Sequence, residues 1–214
     1  ETVYAPPEGE EGIRSLLSNL EKYINVDQDD IDPLIKLSII HYQFESIHPF
    51  YDGNGRTGRI INILYLVLKG LLDSPIVYLS SYIIRNKSEY YRLLQDIRDS
   101  GEWEEWILYI LKGVEEMSVE TLELVKKINE EVEKMSKEIK EKLPKIYSKK
   151  LIDLLFYEFY TKISYIEKGL SITRKTASNY LTALENEGFL TSEKIGKERI
   201  YQNKRLYDMI KATP

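Results

Sequence analysis

One short stretch of the chain combines an imidazole, a carboxylate, two glycines around an asparagine, and two arginines: His48-Pro49-Phe50-Tyr51-Asp52-Gly53-Asn54-Gly55-Arg56-Thr57-Gly58-Arg59. Histidine titrates near neutral pH and can take a proton from a reacting group. Asp52 offers hard oxygens of the kind preferred by Mg²⁺, an ion that completes its shell with substrate phosphates. Gly53 and Gly55 have no Cβ, so the backbone there can curl closely around a ligand. Arg56 and Arg59 are three apart, which puts them on one helix face, able to grip phosphate oxygens with charged forks. Together these residues describe Mg²⁺–nucleotide binding with a proton acceptor beside it. Singly, a histidine by a glycine turn is usually structural and Asn-Gly is an ordinary turn signal. The conjunction carries the reading.

The flanks say how such residues are positioned. Apolar segments at residues 34–44 and 60–68 read as helices, so the stretch is a loop opening onto a helix N-terminus, where unpaired N–H groups and partial positive charge attract anions. Asp32-Pro33 is a cap and first-turn pair for a helix over 33–46. The motif helix runs over 54–69, with Gly70 as its terminator. Upstream, Ile13, Leu16, Leu17, Leu20 and Tyr23 mark one face of a helix over 10–24, and an acidic turn covers 27–32. Downstream, 75–79 reads as extended, with Ser80 or Ser81 capping the next helix, and 87–99 and 102–117 read as helices. His41, the other histidine, has no ligand set around it and reads as structural.

The motif resembles the signature of the Fic family, His-x-Phe-x-Asp/Glu-Gly-Asn-Gly-Arg-x-x-Arg, at all of its defined positions. Tyr4-Ala5-Pro6-Pro7, His41-Tyr42-Gln43-Phe44-Glu45 and Glu89-Tyr90-Tyr91 are similar to the family too, so the likeness covers most of residues 2–118. It implies a mainly α fold, a helical bundle with a remnant β flap at the entry segment, where Thr2, Val3 and Tyr4 are β-prone. It also implies transfer of AMP from ATP to a protein hydroxyl. In that scheme His48 is the general base and Asp52 holds Mg²⁺ between the α- and β-phosphates. Gly53, Asn54 and Gly55 cradle the anion, with Asn54 adding its side-chain amide. Arg56 and Arg59 take the outer phosphates, Arg59 the γ-phosphate. Tyr91 stands on the adenine side, and Phe50 anchors the loop in the core.

Many members are inhibited by a motif Ser/Thr-x-x-x-Glu-Gly/Asn whose glutamate pairs with the last motif arginine, here Arg59. The one Ser/Thr with Glu four residues on is Ser100, and its Glu104 is followed by Glu105. The chain starts at Glu1, and the resemblance leads one to expect a deregulated fragment whose upstream helices are missing.

At 214 residues with 43% hydrophobic content the chain has material for one large or two small domains. It has no cysteine, which excludes disulfides and suits a reducing, cytoplasmic setting, and no apolar run has membrane-spanning length. Charge divides unevenly. Residues 1–144 carry 17 Lys/Arg against 27 Asp/Glu, and residues 145–214 carry 13 against 8. An acidic body with a basic end suggests a separate module. The sequence is therefore divided into a catalytic core at 1–118, a long connecting helix at 119–144, and a second domain at 145–214. In the connector Leu122, Val125, Ile128, Val132, Met135, Ile139 and Leu143 step by three or four, suiting either a coiled-coil homodimer or packing within the chain.

The second domain reads as helices at 149–160 and 162–168, a turn at 169–172, a helix from Thr173 to Gly188, and strands at 190–194 and 199–202. That is the order of a small winged helix-turn-helix domain, which the words around Ser171 and Leu184 also resemble. Arg174, Lys175, Ser178 and Asn179 are the residues that would face DNA, with Lys194, Lys197 and Arg199 on the wing. Glu185, Glu187, Glu193 and Glu198 stand against it, so DNA binding, dimerisation and target docking all stay open. The expected function is a protein adenylyltransferase that uses ATP and Mg²⁺ on a target Ser, Thr or Tyr. The alternatives are a DNA-binding regulator with a nucleotide-sensing core, or a relative that transfers another phosphate-linked group.

Overall fold

The computed structural model describes residues 4–26 and 30–211. The β-prone Thr2 and Val3, and the first residues of the acidic turn at 27–29, lie outside the described residues. The chain divides into two compact units, Glu1–Thr121 and Leu122–Pro214.

Among the described residues the regular elements of the first unit are all helices: α1 (Glu10–Asn25), α2 (Pro33–Ile47), α3 (Asn54–Leu68), α4 (Leu79–Arg85), α5 (Lys87–Ser100) and the start of α6 (Glu104–Lys142). Its centre is α2. Asp32 caps it by accepting from the Leu34 N–H at 2.8 Å, and Pro33 occupies the first turn, where no N–H is needed. Leu37, Ile40, Phe44 and Ile47 are almost fully buried, and Ser38 and His41 are buried with them. A helix buried on most sides is what its nearly unbroken apolar sequence demands. Helix α3 packs along it and ends as the sequence predicts: Gly70 at φ +67° lets its own N–H reach Val67 O (3.0 Å) and the Leu71 N–H reach Leu66 O (2.9 Å).

The second unit runs through the rest of α6, α7 (Lys149–Tyr157), β1 (Tyr160–Lys162), α8 (Ile163–Leu170), α9 (Arg174–Asn186), β2 (Thr191–Ile195), β3 (Glu198–Gln202) and α10 (Lys204–Lys211). The strands form one antiparallel sheet, ordered β1-β3-β2, with Thr161 opposite Tyr201 and Ser192 opposite the same tyrosine. Ser148 and Thr173 cap α7 and α9 as side-chain acceptors. Met135, Ile139, Leu151, Ile166, Leu181 and Tyr201 belong to its core.

The structure adds to or departs from the sequence reading in three places. The break expected between Met117 and Thr121 is absent. Helix α6 passes through it, because Ser118, Val119 and Glu120 supply no glycine or proline to stop a helix. The heptad-like stripe on α6 is used unevenly: Met135 and Ile139 are fully buried, whereas Leu122 and Val125 are exposed. Finally, the helix expected to reach Tyr160 stops at Tyr157, and Tyr160–Lys162 become a strand paired to β3. Aromatic and β-branched residues there suit a pleated surface, but the partner strand lies some forty residues on, out of reach of a periodicity reading. Residues 204–211, given no element from the sequence, form α10. Buried Asn203 starts it, accepting from the Leu206 N–H and donating to Leu155 O at 3.1 Å.

Candidate active site

The motif folds as a clasped loop between α2 and α3. His48 ends α2 in the left-handed region (φ 50°, ψ 54°), its N–H still bonded to Phe44 O at 3.1 Å. That turn carries the exposed imidazole out of the helix, and its Nδ1 lies 3.4 Å from Glu45 O. Donation from Nδ1 leaves Nε2 as the ring's acceptor. At the other end Gly53, at φ +85°, is the cap residue of α3. A side chain there would be strained, which explains the glycine.

Asn54 is not a ligand-facing amide. It is 3% exposed, donates to Phe50 O at 2.6 Å and accepts from the Phe50 N–H at 2.9 Å, closing the loop on itself. This corrects the expectation that its amide joins the anion cradle. What stays open there is backbone: the N–H groups of residues 54–56 precede the first intrahelical bond of α3, made by Thr57 N to Gly53 O at 2.9 Å. Phe50 is also corrected. It stands half exposed, its ring 6.5 Å from that of Phe44, and the loop is held by its backbone rather than by its ring.

The charged residues gather around one cavity of about 720 Å³, whose lining includes His48, Asp52, Gly53, Asn54, Gly55, Arg56 and Arg59, with Tyr90 and Tyr91 from α5. Asp52 is largely exposed; it accepts from the Gly53 N–H (2.7 Å) and from Arg56 Nη2 (3.0 Å). Arg59 is aimed differently, its Nε donating to Ser80 Oγ of α4 at 2.8 Å. Tyr91 is 57% exposed and packs edge-on against buried Tyr90. Among the described residues no group of three or more His, Cys, Asp or Glu side chains could hold a metal ion. A Mg²⁺ here would rest on Asp52 and on oxygens brought by phosphates. One exposed carboxylate beside the unpaired N–H groups of a helix N-terminus fits that arrangement.

Three contributors carried no sequence signal of their own. Ser80, by sequence one of two candidate caps, lies inside α4 and anchors Arg59. Gly58 falls at an undefined motif position, yet a Cβ there would meet Glu45 Oε1 at 2.6 Å and Phe44 Cδ1 at 3.2 Å. Gly58→Ala is expected to cost about 1–3 kcal/mol by overpacking. A denaturant midpoint equal to that of the parent would refute this tight approach of α2 and α3. Glu45, in the segment just before the motif, is 9% exposed, and burial pushes its carboxyl above the ordinary value of 4.5 against the opposing charges of Arg59, His48 and Arg98.

His41 is structural, as expected. It is fully buried, its Nε2 is 3.0 Å from Tyr90 Oη, and its ring stacks on Trp106. Burial first, and the charge of Arg59 second, lower its pKa from 6.5 to about 3. The unfolded chain therefore binds a proton that the folded chain refuses. This contribution is complete above pH 6.5 and is lost as pH falls toward 3. Unfolding midpoints between pH 7 and 4 are expected to drop, and to drop less in His41→Gln.

In the second unit Arg174, Lys175, Ser178 and Asn179 lie together on α9. Ser178 is partly buried and the other three are exposed. Arg174 is 3.9 Å from Glu167, and Arg199 is 3.9 Å from Glu185, so part of this positive charge is answered within the unit. No helix among the described residues is long and apolar enough to cross a membrane.

The Fic/DOC family profile matches residues 1–66, and the profile of the protein adenylyltransferase SoFic-like C-terminal domain matches residues 132–206. The chain belongs to the Fic family. A relative called protein adenylyltransferase fic-1, from Caenorhabditis elegans, is 30% identical over 110 residues, 51% of this chain and 20% of its own. A probable protein adenylyltransferase of Aquifex aeolicus is 37% identical over 75 residues, 35% of this chain and 21% of its own. The matched Fic region thus spans about a fifth of the length of these relatives. A crystal structure of a Fic family protein from Desulfovibrio desulfuricans aligns with a TM-score of 0.48 at 21% identity, covering 93% of this chain and 56% of that one.

Proposed function

We propose that this chain carries the nucleotide-transfer site of a protein adenylyltransferase, moving AMP from ATP to a Ser, Thr or Tyr hydroxyl of a target protein. The observation that supports this most is the placement of His48, Asp52 and Arg59 on one cavity at the N-terminus of α3. The target oxygen attacks the α-phosphorus and its proton passes to His48 Nε2. The bond from the α-phosphorus to the bridging oxygen breaks, and pyrophosphate leaves. Backbone N–H groups of residues 54–56 and the Arg56 and Arg59 guanidiniums hold the phosphates, as helix N-termini and arginine forks do elsewhere. Asp52 would hold Mg²⁺, which when bound offsets the charge of the phosphates. Tyr91, exposed on the α5 wall, offers its face to the adenine.

The second unit is read as a winged helix that docks a target, another copy of the chain, or DNA. The exposed Arg174, Lys175 and Asn179 on α9 support docking, and the nearby Glu167 and Glu185 argue against strong DNA binding.

The test is incubation with Mg²⁺ and ATP labelled at the α- or the γ-phosphate, alone and with lysate. Label from the α-position on protein is the expected result. Label from the γ-position alone would replace this reading with phosphate transfer. Nucleotide binding without label on any protein, together with DNA affinity that shifts with ATP, would replace it with a nucleotide-sensing regulator.

A further inference from the structure

The cavity wall contains a carboxyl group that the transfer scheme does not use. Glu45 sits in the last turns of α2, one turn after His41 and three residues before His48. Its Oε1 is buried with no hydrogen-bond partner among the described residues. The same oxygen lies against the backbone of α3, 2.6 Å from where a Cβ on Gly58 would stand and 3.8 Å from one on Gly55. The two glycines thus bring the acid up to the first turn of α3, where the phosphates are read to bind. The titratable and charged groups facing it are His41 and His48 on α2, Arg59 from α3, and Tyr90 and Arg98 from α5. His41 and Tyr90 are neutral there, so the compensating positive charge comes from Arg59 and Arg98.

Of these cations, Arg59 is also one that a polyphosphate would engage. A nucleotide in this cavity adds several negative charges close to Glu45 and draws on the Arg59 charge that opposes them. Two like charges in a poorly solvated place cannot both persist cheaply. We propose that Glu45 is a further member of the nucleotide site: entry of the polyphosphate drives its carboxylate to the neutral acid, so that nucleotide and proton bind together. The proton comes from the medium, and no covalent bond changes. The inference rests on the reading of this cavity as a nucleotide site.

The sign follows from linkage. A group that binds its proton more tightly in the complex favours the complex at low pH. Nucleotide affinity is then highest below the pKa of the empty site and falls as pH rises toward that of the filled one, by at most about tenfold per pH unit.

The experiment is titration calorimetry of the whole chain with ATP and Mg²⁺ at pH 6, 7 and 8, each in two buffers of different ionisation enthalpy. Glu45→Gln, of the same shape, is measured alongside. The parent is expected to take up a fraction of a proton beyond that taken up by Glu45→Gln, and His48→Ala to retain this excess. The variant's affinity is expected to vary less with pH. Should the glutamine variant not fold, Glu45→Met gives the same comparison without a titratable group. Equal uptake in parent and variant, with ATP still bound, would overturn the role of Glu45 and leave the nucleotide site standing. Excess uptake that disappears in His48→Ala would reassign the proton to the base. Absence of ATP binding in every protein would overturn the nucleotide site and this proposal with it.

Discussion

His48→Ala is expected to lower AMP transfer by about 10²–10⁴-fold, the usual worth of a positioned general base, while ATP still binds. The expectation comes from how the ring is presented. The left-handed turn at His48 brings the imidazole out of α2 onto the cavity, and contact with Glu45 O at 3.4 Å leaves the far nitrogen free to accept a proton. None of the open N–H groups and guanidiniums at the start of α3 depends on that ring. Alanine is itself strained at φ 50°, so His48→Asn, which tolerates that region better, is the companion variant. Transfer is read from α-labelled ATP and binding from calorimetry. Transfer at the parental rate in both variants would remove His48 from the chemistry. Loss of binding and transfer together would make it a structural residue of the loop.

Trp106→Ala carries the largest expected cost in stability, about 3–5 kcal/mol, the range for deleting a large aromatic side chain from a packed core. Trp106 is fully buried, donates to Ser38 O at 2.9 Å, and lies between His41 and Tyr109, with ring centroids at 5.8 and 6.2 Å. It therefore joins α6 to α2. Tyr90, 5.5 Å from it, pairs with His41 and forms part of the cavity wall. A loss of that size is a large part of the stability of an ordinary domain, so unfolding in urea should begin far earlier and ATP affinity should fall with it. Trp106→Phe should recover most of the packing but not the hydrogen bond. An alanine variant with a parental midpoint would show that this aromatic cluster is not what holds α6 against α2.

Much of this was legible because local chemistry and global packing agree. Asp32-Pro33 starts a helix wherever it occurs before an apolar run, and Gly70 stops one by the same reasoning, so the helices around the motif fell within a residue or so of their observed ends. The members of the cavity were legible for a related reason. Glycine, aspartate and arginine at that spacing have few other uses together. What each side chain does inside the loop was less so. Asn54 has an amide that suits a phosphate and suits a backbone equally well, and only the fold shows that Phe50 claims both of its ends. Gly58 and Ser80 matter through partners on other helices, which no spacing along the chain reveals. Strand β1 was missed for the same cause, its pairing with Tyr201 being a long-range fact.

The closed loop also bears on how this protein ages. Asn-Gly is the dipeptide in which the backbone nitrogen after asparagine most readily attacks the side-chain carbonyl, forming a succinimide that opens to aspartate or isoaspartate. Here the attacking nitrogen belongs to Gly55 in the first turn of a helix, and the carbonyl oxygen is already claimed by the Phe50 N–H. Folded, the chain keeps its weakest chemical link out of reactive geometry. Each episode of unfolding exposes it. Deamidation at Asn54 would thus act as a chemical record of time spent unfolded, and each event would replace the amide that donates to Phe50 O with a carboxylate that cannot.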